Sequence, residues 1–439
     1  MKKMLLILAV FSSLLLAQTE EKTILSFDEA INLAIEKNAD LKIAELELSK
    51  SEEKLREARS GLFPKIDING QYSRNIFKPV IFLPSGSPLG ETLEIGSDNA
   101  LTAAAQLSMP LFSWSLYKGI GLASDALAIT QENYRSIKNK VVGDVKKAFL
   151  AVILTRETKD VMQQSLKNAE DNFENVKKLT AAGTLSDYDL LRAEVQVENL
   201  KPTVLQMENN YTLSLEALKV TIGLDANQNI DIVGDMEFTE PYQIPSKQDI
   251  VDELIKNNPQ IAILDNQVKL NDQNISLEES GYFPTLAAFA AFQYQTQAND
   301  VIKVLDYRFV KTFYVGLQLQ IPIFNGFKTQ ARVSQAEIGL NQSVEQKRSF
   351  TEAVKTQALS ILYRIEQAVK RIEGQNKTVS QATEGYEIAK RRFDNNVAIQ
   401  LEVNDAELAL RQAKLNRLQA IYDLKVAEAD LDNVLGKIK

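Results

Sequence analysis

A five-residue segment that occurs twice constrains this chain more than any other feature. Ser60-Gly61-Leu62-Phe63-Pro64 precedes Lys65-Ile66-Asp67-Ile68-Asn69-Gly70-Gln71-Tyr72. Ser280-Gly281-Tyr282-Phe283-Pro284 precedes Thr285-Leu286-Ala287-Ala288-Phe289-Ala290-Ala291-Phe292. Each copy closes a charged helical run and opens an alternating one. Glycine tolerates the left-handed turn that ends a helix, and proline cannot continue one. Each copy is therefore a junction where a helical period becomes a strand period. The copies stand 220 residues apart in a chain of 439, so the sequence reads as a tandem duplication.

The chain has no Cys and no His. Disulfides, thiolate chemistry, histidine metal ligands and any triad that needs either residue are excluded. No cofactor is expected, and no pair of carboxylates is placed for catalysis. A net charge of −8 argues against nucleic acid as a partner. Residues 1–17 read as a signal peptide: Lys2-Lys3, an apolar stretch from Met4 to Leu16, and a cleavage site at Ala17. An uncleaved anchor helix is the other reading of this short run. No later stretch is apolar for about 18 residues, so a membrane could be entered only by a closed β-barrel.

Residues 18–224 form the first expected repeat, 225–246 a connection, and 247–439 the second. A capping box at Ser26 and Glu29 opens a helix to Asn38, and a second helix runs from Asp40 to Ser60. Lys247 to Ser280 matches this region, with Asn258-Pro259 in register with Asn38-Ala39. Strands are expected over 66–75 and 101–109, and over 285–295 and 309–321. Their faces alternate between apolar and polar, with Phe289 as an exception. Residues 76–100 and 297–308 read as polar loops. Met109-Pro110-Leu111-Phe112 answers Ile321-Pro322-Ile323-Phe324.

Strands of about ten residues with one apolar face suit a membrane barrel with a wet lumen, although a half-buried soluble sheet alternates in the same way. Four strands are too few to close a barrel, for which about 8 is the usual minimum. A barrel would thus be shared between subunits, and a trimer would supply twelve strands. The remainder, 115–222 and 326–435, is expected to be helical. The first helix of each pair would reach roughly 100 Å at the rise of an α-helix. Leu401, Leu408, Leu415, Tyr422 and Ala429 keep a step of seven, a coiled-coil seam. Pro202 is expected to kink or break its helix. Tyr72, Phe77, Phe82, Phe292, Tyr294, Phe309 and Phe313 suit aromatic girdles or ordinary strands equally.

In this order, the signal peptide, the duplicated helix-strand-strand-helix-helix pattern, the Gly-x-Phe-Pro junctions, the strand ends at Pro110 and Pro322 and the helix ends at Ile222-Gly223 and Leu435-Gly436 resemble the TolC-type outer membrane efflux ducts. The resemblance covers essentially the whole mature chain. It implies an α+β membrane protein: a homotrimer with a twelve-stranded β-barrel in the outer membrane, continued by an α-helical barrel across the periplasm. The partners it implies are an inner-membrane transporter, a periplasmic adaptor and the lipid of the outer membrane. The resemblance also places the family's gate at the helical hairpin tips. Glu402 and Asp405 fall where members set carboxylates facing the pore, and rings of like charge select cations. Read without the family, both are ordinary solvated residues. Asp189 matches the partner of the family's closing lock, with Asp187 beside it. Phe393 stands where a Tyr hydroxyl would bond that partner, Ala398 where some members use Arg, and Asn396 in place of a Gly. The lock itself is therefore not carried over, and Phe393 is left to pack between hairpins. Adaptor docking is expected at Gly183-Thr184-Leu185 and Asn396-Val397-Ala398.

Two functions compete. One is a passive exit duct for efflux or type I secretion; no phosphate-binding loop is present, so energy would come from a partner. The other is an exported structural or adhesive coiled-coil protein without channel activity. Catalysis is the weakest reading, because no nucleophile-base pair is visible.

Overall fold

The computed structural model describes residues 23–437, except 87, 89, 304, 305 and 396. The expected signal peptide lies outside them, as does Asn396. The first half holds β1 (Thr23–Leu25), α1 (Phe27–Lys37), α2 (Ala39–Ser60), β2 (Lys65–Arg74), β3 (Val80–Phe82), β4 (Thr92–Glu94), β5 (Asn99–Ser113), α3 (Trp114–Ala181) and α4 (Asp187–Ile222). After β6 (Ile230–Ile232), the second half holds α5 (Lys247–Asn257), α6 (Pro259–Glu279), β7 (Thr285–Ala298), β8 (Val310–Gln320), α7 (Lys328–Asp394) and α8 (Gln400–Leu435). Element lengths repeat closely. α1 and α5 have 11 residues each, α3 and α7 have 68 and 67, and α4 and α8 have 36 each. Among the described residues no helix is long and apolar enough to cross a membrane.

The chain divides into two compact units. One comprises the chain up to Glu47, Gln131–Ala262 and the chain from Arg348; the other comprises Leu48–Thr130 and Ile263–Lys347. In the first unit, one apolar core joins α1, α3, α4 and β6 to α5, α7 and α8 through Phe149, Leu218, Ile222, Leu254, Ile365 and Leu424. The parallel pair β1–β6 edges this core, with Leu25 opposite Ile232. Tyr211 ties the connection down by donating to Asp231 at 2.5 Å.

The same corner is built twice in this unit. Asn38 ends α1, and its Oδ1 accepts from the amide of Asp40 at the start of α2 (2.9 Å). Its Nδ2 donates to Thr221 O in the last turn of α4 (2.9 Å). Asn258 repeats this between α5 and α6: Oδ1 accepts from Ile261 N (2.9 Å), and Nδ2 donates to Val434 O in α8 (2.7 Å). One side chain thus satisfies a helix start and a helix end that otherwise lack partners. Asn258→Ala is expected to lower stability by about 1–2 kcal/mol. Chemical denaturation of the purified protein checks this.

The second unit carries the sheet β2-β5-β7-β8, antiparallel throughout. Directly paired residues share a face. One face runs through Ile68, Ala105, Phe292 and Phe313 in register, flanked by Ile66, Tyr72, Leu107, Ala290, Val315, Leu317 and Leu319. The other runs through Gln71, Thr102 and Gln295 and includes Asn69, Gln106, Gln318 and Gln320. Phe289, which breaks the alternation, lies on this polar face directly opposite Gly316. A Cβ on Gly316 would come within 2.6 Å of the Phe289 ring, so the ring covers the glycine. The apolar face is open: Phe313 is 68% exposed and Ile68 80%.

Three local features differ from the sequence reading. β5 continues through Pro110 to Ser113 and passes directly into α3, because a shift in register between Pro110 and Phe112 absorbs the missing amide. The loop expected to be polar contains the β3–β4 hairpin, with Val80, Ile81 and Phe82 exposed. Pro202 sits inside an uninterrupted α4. Leu200 and Val204, on either side of it, are buried against α3, and this packing carries the helix past the lost hydrogen bond.

Candidate gate at the hairpin tips

The α3–α4 tip is shaped by its backbone. Gly183 takes φ +77°, and Thr184 N donates back to Leu179 O at 2.9 Å, which closes the end of α3. Ser186 then caps α4 in a capping box: Asp189 N donates to Ser186 Oγ (3.2 Å), and Ser186 N and Oγ donate to Asp189 Oδ2 (3.2 and 2.7 Å). The Asp189 carboxylate is thus engaged in holding the tip. Asp187 sits exposed in the same first turn, where the helix dipole favours negative charge. Gly183 and Thr184 are exposed, and Leu185 packs inward.

The α7–α8 tip closes with Val397 N donating to Arg392 O at 2.8 Å. Val397 is 68% exposed, whereas Ala398 packs inward. Phe393 is 4% exposed. It lies in an apolar cluster with Val176 of α3, Ala193 of α4, Tyr386 and Ala389 of α7 and Val403 of α8, so its ring binds the two hairpins of one chain together. Asn175 Nδ2 adds a polar tie to Asp394 Oδ1 at 3.3 Å.

Glu402 and Asp405 are both exposed on α8, one turn apart. They differ in surroundings. Glu402 is ion-paired with Arg392 across the tip, at 3.3 Å. Asp405 lines a groove of about 550 Å³ between α4 and α8, walled by Tyr188, Leu191, Arg192, Leu401 and Leu408.

Glu407 was not singled out by the sequence, yet it is the tip's most constrained acid. It is 6% exposed. It accepts from Ser165 Oγ of α3 at 2.5 Å and from Arg411 Nη1 at 3.0 Å. Its spacing of four from Arg411 was legible as a helix pair. The partner in α3, 242 residues away, was not. Arg411→Ala leaves this carboxylate buried without its cation, and a loss of about 3–5 kcal/mol is expected. Unfolding by denaturant checks it, and Glu407→Leu/Arg411→Met should recover most of the loss.

With the duplicated fold and the paired tips in place, similarity to known proteins becomes specific. The family model described as "Outer membrane efflux protein" matches residues 30–224 and 250–437, one segment for each repeat. The chain belongs to the outer membrane efflux protein family. Among relatives of this efflux protein, outer membrane protein TolC of Vibrio cholerae is 21% identical over 410 residues, covering 93% of this chain and 90% of TolC. The alkaline protease secretion protein AprF of Pseudomonas aeruginosa is 19% identical over 423 residues, covering 96% and 86%. Among solved structures, the Campylobacter jejuni CmeC outer membrane channel superposes with a TM-score of 0.76 at 17% identity, covering 94% of this chain and 85% of CmeC. The efflux protein is thus an outer membrane channel component of the TolC type.

Proposed function

We propose that three copies of this chain close a twelve-stranded barrel in the outer membrane and continue it as a helical tunnel into the periplasm. The duct is passive. An inner-membrane transporter drives substrate into it through a periplasmic adaptor. The observation that carries this reading is the sheet β2-β5-β7-β8, in which β2 and β8 pair with no further strand among the described residues. Open edges of this length invite another chain, and its exposed apolar face is a surface suited to lipid. The polar face would line the lumen.

The gate is assigned to Glu402 and Asp405, repeated three times around the axis, with Asp187 and Asp189 on the facing hairpin. Asp405 acts as the freer charge, because Arg392 offsets Glu402. Phe393 acts indirectly, by fixing each hairpin pair from within. Gly183, Thr184 and Leu185, together with Asn396, Val397 and Ala398, form the docking tips for the adaptor. Relatives named for efflux and for protease secretion share this framework. Cargo is therefore set by the pump and not by the duct.

Washing outer membranes with alkaline carbonate tests the assembly. The protein is expected to stay in the membrane fraction and to leave in detergent at the mass of three chains. Release into the wash as single chains would instead support an exported coiled-coil protein without channel activity.

A further inference from the structure

The apolar face of the sheet carries two cations, and the chain neutralises only one of them. On β2 that face runs through Tyr72 to Arg74, and on β8 it runs from Lys311 through Phe313, Val315, Leu317 and Leu319. Both cations sit at the end of the sheet remote from the helix junctions. Arg74 is held. Its Nη2 pairs with Asp300 Oδ2 at 2.8 Å, and Asn99 Nδ2 donates to Asp300 Oδ1 at 2.8 Å. Lys78 pairs with Asp98 Oδ1 at 2.8 Å, and Asp98 Oδ2 accepts from Asp300 N at 3.0 Å. Two cations and two carboxylates thus form a neutral clasp between the loop after β2 and the loop after β7.

Lys311 lies outside that clasp. It stands directly opposite Tyr294, whose ring stacks on Phe309 with centroids 4.6 Å apart and planes within 7° of parallel. Neither Lys311 nor Arg308 makes a side-chain hydrogen bond or ion pair among the described residues, and both are exposed. From Val301 to Lys311 the chain sets Lys303, Arg308 and Lys311 against the single acid Asp306.

Position decides what Lys311 meets. An ammonium is costly at the mid-depth of a bilayer and cheap at the headgroup boundary. An apolar band about 25 Å tall takes about ten residues of a strand tilted near 45°. Phe313, Val315, Leu317, Leu319, Ile321 and Ile323, all exposed, make a run of that length. Lys311 is the next residue beyond Phe313 on this face, so it falls at the boundary, where aromatic rings such as Tyr294 and Phe309 also belong. An uncompensated cation at that depth calls for an anion, and the anion that a leaflet presents there is a lipid phosphate.

We propose that Lys311 and Arg308 bind the phosphate of a phosphorylated lipid in the outer leaflet, whose acyl chains lie along the apolar face below. The site rests on the barrel reading above, which turns this end of the sheet outward. The clasp keeps Arg74 and Lys78 out of it.

The test titrates the detergent-purified protein with bisphosphorylated lipid A and follows bound lipid by native mass spectrometry. Lys311→Gln is expected to weaken binding about fivefold and Arg308→Gln/Lys311→Gln about thirtyfold, as about 1 kcal/mol per cation near a lipid surface gives. Lys311→Arg should bind as wild type does. So should Lys65→Gln, the same charge change on the polar face. Lipid A stripped of its phosphates should bind wild type and Lys311→Gln equally. Equal affinity of those two proteins for bisphosphorylated lipid A would overturn the site while the barrel stands. Displacement of the lipid by an equal concentration of inorganic phosphate would overturn it too, by giving the site to a free anion. Loss of trimers in Lys311→Gln, with lipid binding unchanged in Arg308→Gln, would hand Lys311 to a carboxylate of a neighbouring copy and overturn it as well. Wild-type protein released by carbonate as single chains would overturn the barrel reading itself.

Discussion

Replacing Gly436 by alanine will lower stability by about 2–5 kcal/mol, and Gly223→Ala will do the same in the first repeat. Both glycines close their helices in the left-handed region, at φ +72° and +89°. That conformation alone accounts for about 1–2 kcal/mol with a side chain present. The remainder comes from the neighbour. A Cβ on Gly223 would stand 2.7 Å from Lys37 O and 3.0 Å from Asn38 Cα. A Cβ on Gly436 would collide with Asn257 O and lie 3.1 Å from Pro259 Cδ. These are mostly backbone atoms at the Asn38 and Asn258 corners, so they cannot swing aside. Gly183 is the internal control. It has φ +77°, but nothing lies within 4 Å of its Cβ position, so Gly183→Ala should lose only about 1 kcal/mol. Denaturation midpoints of the three variants, measured side by side, separate strain from collision. Equal losses at all three positions would show that the corners give way.

Neutralising Glu402 will move the duct away from cation selectivity, because it turns a neutral ion pair into a net positive charge at the tip. Glu402→Gln removes a negative charge and also unpairs Arg392, which lies 3.3 Å from it. In a trimer the tip then holds three uncompensated guanidinium groups. Within a Debye length of about 8 Å at physiological salt, these charges act directly on a passing ion. The cation-to-anion permeability ratio, read from the reversal potential across a salt gradient, is expected to fall about tenfold, as about 1.4 kcal/mol of added barrier would produce. Arg392→Ala should shift it the opposite way. A reversal potential unchanged in both variants would place the selective constriction elsewhere.

The parts of this molecule that repeat in sequence were the legible ones. The Gly-x-Phe-Pro junctions mark where helices hand over to strands, and alternation over residues such as Phe313, Val315, Leu317 and Leu319 assigns their face, because a strand's side-chain period is local. What depends on contacts between distant segments was hidden. Arg392 and Glu402 look like two separate surface charges until the chain folds back between α7 and α8 and brings them together. Glu407 reads as a solvated helix residue until Ser165 arrives from α3. Pro202 reads as a break because its own chemistry forbids an interior hydrogen bond, while the packing that keeps α4 continuous lies on another helix. The β3–β4 hairpin was masked by Pro79, Pro84 and Pro88, which punctuate the segment without entering its three-residue strands.

The central claim is that this chain forms a conducting duct in a membrane. Recording current after adding the detergent-purified protein to a planar lipid bilayer tests it most directly. The account predicts discrete, cation-selective steps carried by particles of three chains. Folded protein that inserts without opening a conductance, or that never enters the bilayer, would contradict it.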